Sequence, residues 1–596
     1  MGTRRFSRRE VLTRATLLAT ASGAAVLLGA CGSSGQPAAT PAAPPTMQAT
    51  APATAGGAPA TSPAARTGSG QLPPNAAPAD KQVLTIMGRE GRYLEWSKTV
   101  RDFQWSPFLI SEPPVRPDIN YELQPAAAEK WEIAPDGMSW TFHFRPGMKW
   151  SDGTPVTAND YVYTIRRMAD PNTGFDVAWF YAFIKGFKAA NEGKGKLEDI
   201  GAKATDDLTL TIETEQPTPF LSLIMTELPP VPQHVVSAAG DNWSLDPKTC
   251  LSCGPFKLEA WDKGRQVVFV NNPAYNGPSK APLSKIVYKI GEDTALFPAY
   301  ENNEIDAITR GYEQVLSPAD QARVESDPDL SKQLHKWPQF QTWWVSYDSV
   351  NAAFKDTRVR QAFSHAIDRD ALINSALKGQ AVPAWGLLPP GFYAYNLDNV
   401  KGIQDFNPAK AKQLLAAAGY PDGKGFPRYD MYLRAPSPTV KNVAQAIQAM
   451  LKQNLGVDIG IQSYEQKSFM DRLNSHNLPL WLISWDMDYY DASNFMDVFK
   501  SGGRNPWKND EYDRLVASAD STMGDDAKRK QLYQQAEKLL VTEAVGVFLW
   551  HPIFTQLWKP YIAGDCFVKN KYGILGWQEP QSGPQYYCAY ITKDKK

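Results

Sequence analysis

Between Val440 and Ile461 the chain permits few structures. Val440, Ala444, Ile447 and Leu451 recur at helical spacing, Leu455 and Gly456 end the pattern, and Val457, Ile459 and Ile461 then alternate with polar or small residues as a strand does. A helix that feeds straight into a strand is α/β order. The same punctuation recurs elsewhere. Thr157 and Asp160 form a capping pair ahead of Tyr161, Val162, Ile165 and Met168, and Asn407 with Pro408 opens a helix that carries Ala411, Leu414, Leu415 and Ala418 to Gly419. Val359, Phe363 and Ile367 mark another, after which Asp368 caps a helix through Leu372, Ala376 and Leu377 to Gly379. Strands are expected at Leu208 to Glu213, Arg265 to Asn271, Lys285 to Ile290, Leu480 to Trp485 and Val545 to Trp550. The last two are apolar almost without a break, as strands buried on both faces are. Ser139 to Pro155 reads as a strand ending in a tight glycine turn near the surface.

The amino terminus is of another kind. Arg8 and Arg9 precede Val11 and Leu12, and an uncharged run from Ala15 to Ala30 leads to Leu28-Gly29-Ala30-Cys31. This is the layout of an export signal. The arginine pair resembles the twin-arginine type and the last four residues resemble a lipobox, which implies cleavage before Cys31, a lipid on its sulfur and anchorage to the outer face of a cell membrane. An uncleaved membrane helix would need ~20 residues, more than this run supplies. From Gly32 to Asp80 there is no aromatic residue, and only Arg66 and Asp80 are charged. Such a segment cannot bury a core. As a loose coil it would reach on the order of 40 Å, a tether for the body that begins at Lys81.

That body is long enough for a large core or several domains. The whole chain has 62 basic and 63 acidic residues, a formal net charge of -1, so nothing marks it for nucleic acid. Four cysteines lie in the body, Cys250, Cys253, Cys566 and Cys588. Outside the membrane an even count favours disulfides, with three possible pairings. The pairs nearest in sequence are expected: Cys250 with Cys253, and Cys566 with Cys588. CLSCG has neither the preceding Trp nor the surrounding βαβ unit of a redox-active pair. HExxH, GxSxG, GxxxxGK[ST] and GxGxxG are all missing, and the six histidines stand singly, so no metal site and no cofactor are expected.

Candidate chemistry concentrates in SWDMDYYDASNF, Ser484 to Phe495, where three aspartates sit among four aromatic residues with no basic residue beside them. Such carboxylates suit an acid and base pair, a metal, or the cationic group of a ligand. Asp486 and Asp488 on one face of an extended segment would meet the ~5–10 Å spacing of a glycoside hydrolase, which keeps a secreted carboxylate hydrolase among the alternatives.

Several stretches, taken in order, resemble one family: the peptide, dipeptide and nickel class of solute-binding proteins that serve ABC importers. They are AAAEKWEIAPDGMSWTFHFRPGMKWSDGTPVTANDYVYTIRRMADP, CGPFKLEAW, NNPAY with PLSKIVYKI and NNEIDAI, VRQAFSHAIDRDALI with LLPPG, FNPAKAKQLLAAAGY, and SWDMDYYDASNF. The resemblance implies an α/β, two-lobed periplasmic-binding fold with an extra small domain, monomeric and binding without turnover. Lobe one would comprise Lys81 to Asp118, Ala204 to Pro338 and Thr555 to Lys596, the extra domain Ile119 to Lys203, and lobe two Gln339 to Phe554. Two strands crossing near Gln339 and Phe554 would form the hinge. Partners implied are a peptide and an ABC permease. In peptide-binding members an aspartate three residues past a Trp receives the α-ammonium, and Trp485 and Asp488 match that position. Asp486 and Tyr489 make the loop more acidic and aromatic than one anchor needs, and the chain has 18 Trp, with Trp343, Trp344, Trp385, Trp481 and Trp485 in lobe two. An oligosaccharide therefore stays open as the ligand. Arg434 is a candidate for a peptide carboxylate, and Trp385, ahead of LLPPG, for a wall of the cleft.

Overall fold

The structure, a computed structural model, describes residues 72–98, 106–309, 316–350, 353–575, 577 and 585–595. The export signal, Cys31 and the tether as far as residue 71 lie outside the described residues. The body starts earlier than Lys81. Ala77 N–H donates to Ile591 O at 2.8 Å and Ala76 bridges Thr592, and both alanines are buried. Among the described residues no helix is long and apolar enough to cross a membrane.

Three sheets organise the chain. In lobe one, Val83–Gly88, Lys285–Ile290, Gln266–Asn271 and Phe256–Asp262 lie side by side, the first pair parallel and the rest antiparallel. The small domain is an antiparallel sheet in the order Ala128–Ile133, Ser139–Phe144, Thr209–Glu213, Ala202–Asp206. Lys203 falls inside its last strand, and the ladder continues through Glu213. Helix Ala158–Ala169 covers the sheet, entered through Thr157 N–H donating to Asp160 Oδ2 at 2.8 Å. In Ser139–Phe144, Trp140, Phe142 and Phe144 face the core while the alternate residues are half-exposed.

The third sheet belongs to lobe two and reaches lobe one. Its core order is Gly546–Trp558, Gln341–Tyr347, Leu480–Asp486, Tyr429–Arg434, Ile459–Tyr464. The last three are parallel to one another. Within Leu480–Asp486, Trp481 and Ile483 enter one hydrophobic core and Leu480 and Leu482 another on the opposite face, which is why this strand reads as apolar throughout. Helices Thr357–Ala366, Arg369–Ser375, Pro408–Ala417 and Pro438–Leu455 supply the second core. Asp356, Asp368, Asn407 and Ser437 cap them.

Gly546–Trp558 is longer than the apolar run predicts. Residues 546–550 pair with Gln341–Tyr347, and residues 553–557 pair with Leu334–Pro338. Its far end also pairs with Ala307–Ile308, beside the lobe-one sheet. Pattern alone stops at Trp550 because His551 and Pro552 interrupt it.

Cys566 and Cys588 are disulfide-bonded, with Cα atoms 6.1 Å apart. Cys250 and Cys253 are free thiols, contrary to the nearest-neighbour pairing. Cys250 points into the lobe-one core and Cys253 into the small-domain core, so the turn between them sends the two sulfurs to different sites.

Gly456 ends the helix Pro438–Leu455 at φ 71°, and a Cβ there would stand 2.3 Å from Asp422 O. Gly456→Ala should lower unfolding stability by about 1–3 kcal/mol, measured by urea titration, because it adds left-handed strain to a backbone clash.

Candidate functional site

Strands Tyr429–Arg434 and Leu480–Asp486 run parallel, so Arg434 and the loop carrying Trp485, Asp486 and Asp488 emerge at the same, carboxyl end of the sheet. This is where open α/β sheets bind ligands. Asn494, 1% exposed, organises the loop. Its Nδ2 donates to Asp488 Oδ2 at 2.9 Å, while its Oδ1 accepts from the Asp488 N–H at 3.1 Å and from Trp485 Nε1 at 3.3 Å. The Asp488 carboxylate is thus held in place half-buried, with its backbone and the neighbouring indole tied to the same amide. It faces the small domain: burial raises the Tyr181 phenol well above its ordinary value, and the Glu227 and Asp488 carboxylates add to the effect.

Asp486 turns another way. Its Oδ1 accepts from Gln339 Nε2 at 3.4 Å, at the strand crossing, and it adds to the raised pKa that burial imposes on Tyr121. Tyr121, at φ 62°, stacks on Tyr490 at 5.6 Å, and Phe340 and Tyr572 close round them. The lobe-two loop also contacts the small domain directly. Trp485 lies 5.6 Å from Trp179, and the Arg504 guanidinium sits 5.4 Å from the Trp179 ring and 5.6 Å from that of Trp485.

The expected site residues divide between the sheet end and the packed interior. Asp488 and Trp485 come together on the Asn494 amide, while Asp486 and Arg434 end neighbouring strands of the sheet. Tyr489 is a packing residue here: 6% exposed, it enters the core of the small domain between Phe180 and Phe220, at 5.2 and 6.1 Å, and its hydroxyl lies 2.9 Å from Ser493 Oγ. Arg434 Nη1 rests 4.0 Å from Met470 Sδ. Trp385 packs under the buried Arg369 guanidinium at 5.2 Å, although its loop returns over the site strands through Thr342 Oγ1 donating to Leu387 O at 2.7 Å. Asn494, Arg504, Trp179 and Tyr121 escaped the sequence reading. Asn494 stands in the quoted loop and its type, a side chain that both donates and accepts, was the available signal. The other three come from distant segments and carry no local mark.

The construction is that of a hinged binding protein: two lobes share crossing strands, and polar and aromatic groups of one meet those of the other at the sheet end. The chain belongs to the bacterial extracellular solute-binding proteins, family 5, whose middle-region model matches residues 122–507. It is 30% identical over 476 residues to the periplasmic oligopeptide-binding protein OppA of Salmonella typhimurium, covering 77% of this chain and 86% of that one. It is 32% identical over 454 residues to the probable deoxycholate-binding periplasmic protein YgiS of Escherichia coli, covering 74% and 82%. The structure of Haemophilus influenzae OppA in complex with RPPGFSPFR matches with a TM-score of 0.72 at 25% identity, over 86% of this chain and 99% of that one.

Beneath the loop that carries Trp385, Glu537 is buried and Oε1 accepts from the Leu388 N–H at 2.8 Å; burial pushes its carboxyl up to about 7. A carboxyl that holds its proton more tightly when folded stabilises the fold below its unfolded value and loses that contribution as pH rises through about 7. Urea unfolding at pH 5 and pH 8 should show stability falling with pH, with this group contributing on the order of 3 kcal/mol. Glu537→Gln should flatten that dependence.

Proposed function

We propose that this protein is a lipid-anchored extracytoplasmic receptor that captures peptides between its lobes and delivers them to an ABC importer. One observation carries the reading: the Asp488 carboxylate is fixed by Asn494, three residues past Trp485, at the sheet end that meets the small domain. A charge-assisted hydrogen bond from a peptide α-ammonium to such a carboxylate is worth about 1.5–3 kcal/mol, enough to anchor one end of a ligand whose side chains vary. Main-chain hydrogen bonds along an extended guest would supply affinity common to many sequences. The oligopeptide-binding relatives support this choice of guest, and the family's members are binding proteins, so capture without conversion is the expected behaviour. Cys31 would hold the protein to the outer face of the membrane.

A second reading keeps the receptor and changes the guest to an oligosaccharide. Trp179, 36% exposed beside Trp485, favours it, since aromatic faces suit sugar rings. The mass of whatever co-purifies with the protein separates the two.

Asp488→Ala should weaken free-amine peptides about ten- to a hundredfold and leave N-acetylated ones nearly unchanged, read by calorimetric titration. Equal weakening of both would remove Asp488 as the ammonium receptor. Cys31→Ser should move the protein from the membrane fraction to the soluble extracytoplasmic fraction, and unchanged partition would refute the lipid anchor.

A further inference from the structure

Three residues beyond Asp488 the same loop carries a carboxylate with a different neighbourhood. Asp491 is 3% exposed and meets Arg529 in a two-pronged pair, Nη1 to Oδ2 at 2.5 Å and Nη2 to Oδ1 at 2.8 Å. Its Oδ1 also accepts from the Ser493 N–H at 3.0 Å and from the Ser493 hydroxyl at 2.8 Å. The next residue is Asn494, whose amide holds Asp488 and Trp485. Thus the guanidinium stands one short relay from the candidate ammonium receptor.

Arg529 is itself tightly placed. It rises from helix Asp526–Thr542, sends Nε to Ala519 O at 3.0 Å in helix Asp510–Asp520, and shares Nη2 with the Tyr533 hydroxyl at 2.9 Å. Two helices of lobe two therefore set its position, and a planar fork bound on both prongs transmits that position to the loop in a way that a single point charge cannot. The Tyr533 and Tyr393 rings of lobe two lie 5.1 and 5.3 Å from its guanidinium carbon, and a third ring comes from the other side. The Phe220 ring, which enters the core of the small domain, lies 5.6 Å from the guanidinium carbon, and Phe220 also stacks on Tyr489 of the loop. A cation over an aromatic face attracts it, more strongly where water is excluded.

We propose that Arg529 is a positioning residue of the ligand site with two separable actions: through Asp491 it fixes the loop that presents Asp488, and through Phe220 it holds the small domain against lobe two. The proposal rests on Asp488 as the ammonium receptor. The first action serves recognition of the charged end alone. The second serves closure, which every ligand uses alike.

The test is calorimetric titration of the full chain with trialanine and N-acetyl-trialanine, taking the ratio of the two dissociation constants as the free-amine preference. Asp491→Asn and Arg529→Lys should each reduce that preference about five- to tenfold, because neither restores the two-pronged pair. Phe220→Leu should weaken both peptides by the same factor, about three- to tenfold, and leave the preference unchanged. Folded Asp491→Asn and Arg529→Lys proteins with an intact preference would overturn the proposal, as would a Phe220→Leu protein whose preference falls. Failure of both charge variants to fold, seen by circular dichroism, would also overturn it by assigning the pair to the lobe-two core. Asp488→Ala separates the two levels. If it leaves the preference intact, the ammonium reading fails and this proposal with it; if it abolishes the preference while Asp491→Asn and Arg529→Lys do not, only the role of Arg529 fails.

Discussion

A single strand binds the two lobes together. Gly546–Trp558 gives its first residues to the lobe-two sheet and its last to Leu334–Pro338, so one continuous backbone serves two ladders. A ladder tolerates twist but not free rotation, because each displaced residue gives up a hydrogen bond. At the crossing the strand changes partner, and residues 550–552 pair with Ala381–Pro383. Pro552 has no N–H to donate, and the partner chain breaks at Gln339 and Phe340, where Gln339 N–H reaches Pro552 O at 3.1 Å.

The chemistry at that end follows from how its carboxylates are held. Asp488, Asp486 and Asp491 lie within six residues of one another, yet each is committed to a different direction: Asp488 to Asn494 and the small domain, Asp486 to the crossing at Gln339, Asp491 to Arg529. Like charges so close in sequence would repel if left in one pocket. Burying Asp491 against a guanidinium removes one of them from the problem. Aromatic residues complete the seam, and Tyr489 shows the division of labour: it is a loop residue whose ring belongs to the core of another domain.

Much of the framework could be read from residue order. The capping residues Thr157, Asp368 and Asn407 start helices where they stand, and Gly456 stops one, because these effects act within a turn or two of chain. The strands Lys285–Ile290 and Leu480–Asp486 were likewise marked by their own apolar pattern. The extension of Gly546–Trp558 past Pro552 was not, since its far half is a strand by virtue of partners from Leu334–Pro338. The cysteines make the same point. Closeness in sequence favoured Cys250 with Cys253, but which core each sulfur enters depends on two domains that meet at that turn.

By itself, then, the order of amino acids determined the α/β character, the element boundaries set by caps and glycines, and the loop in which the charged groups collect, all consequences of forces that reach only a few residues along the chain. Tertiary structure alone decided that Asn494 clamps Asp488, that Arg529 takes Asp491, and that Trp179, Phe180 and Phe220 come to meet the loop. Those pairings depend on distances between segments up to hundreds of residues apart, and such distances exist only once the lobes have packed.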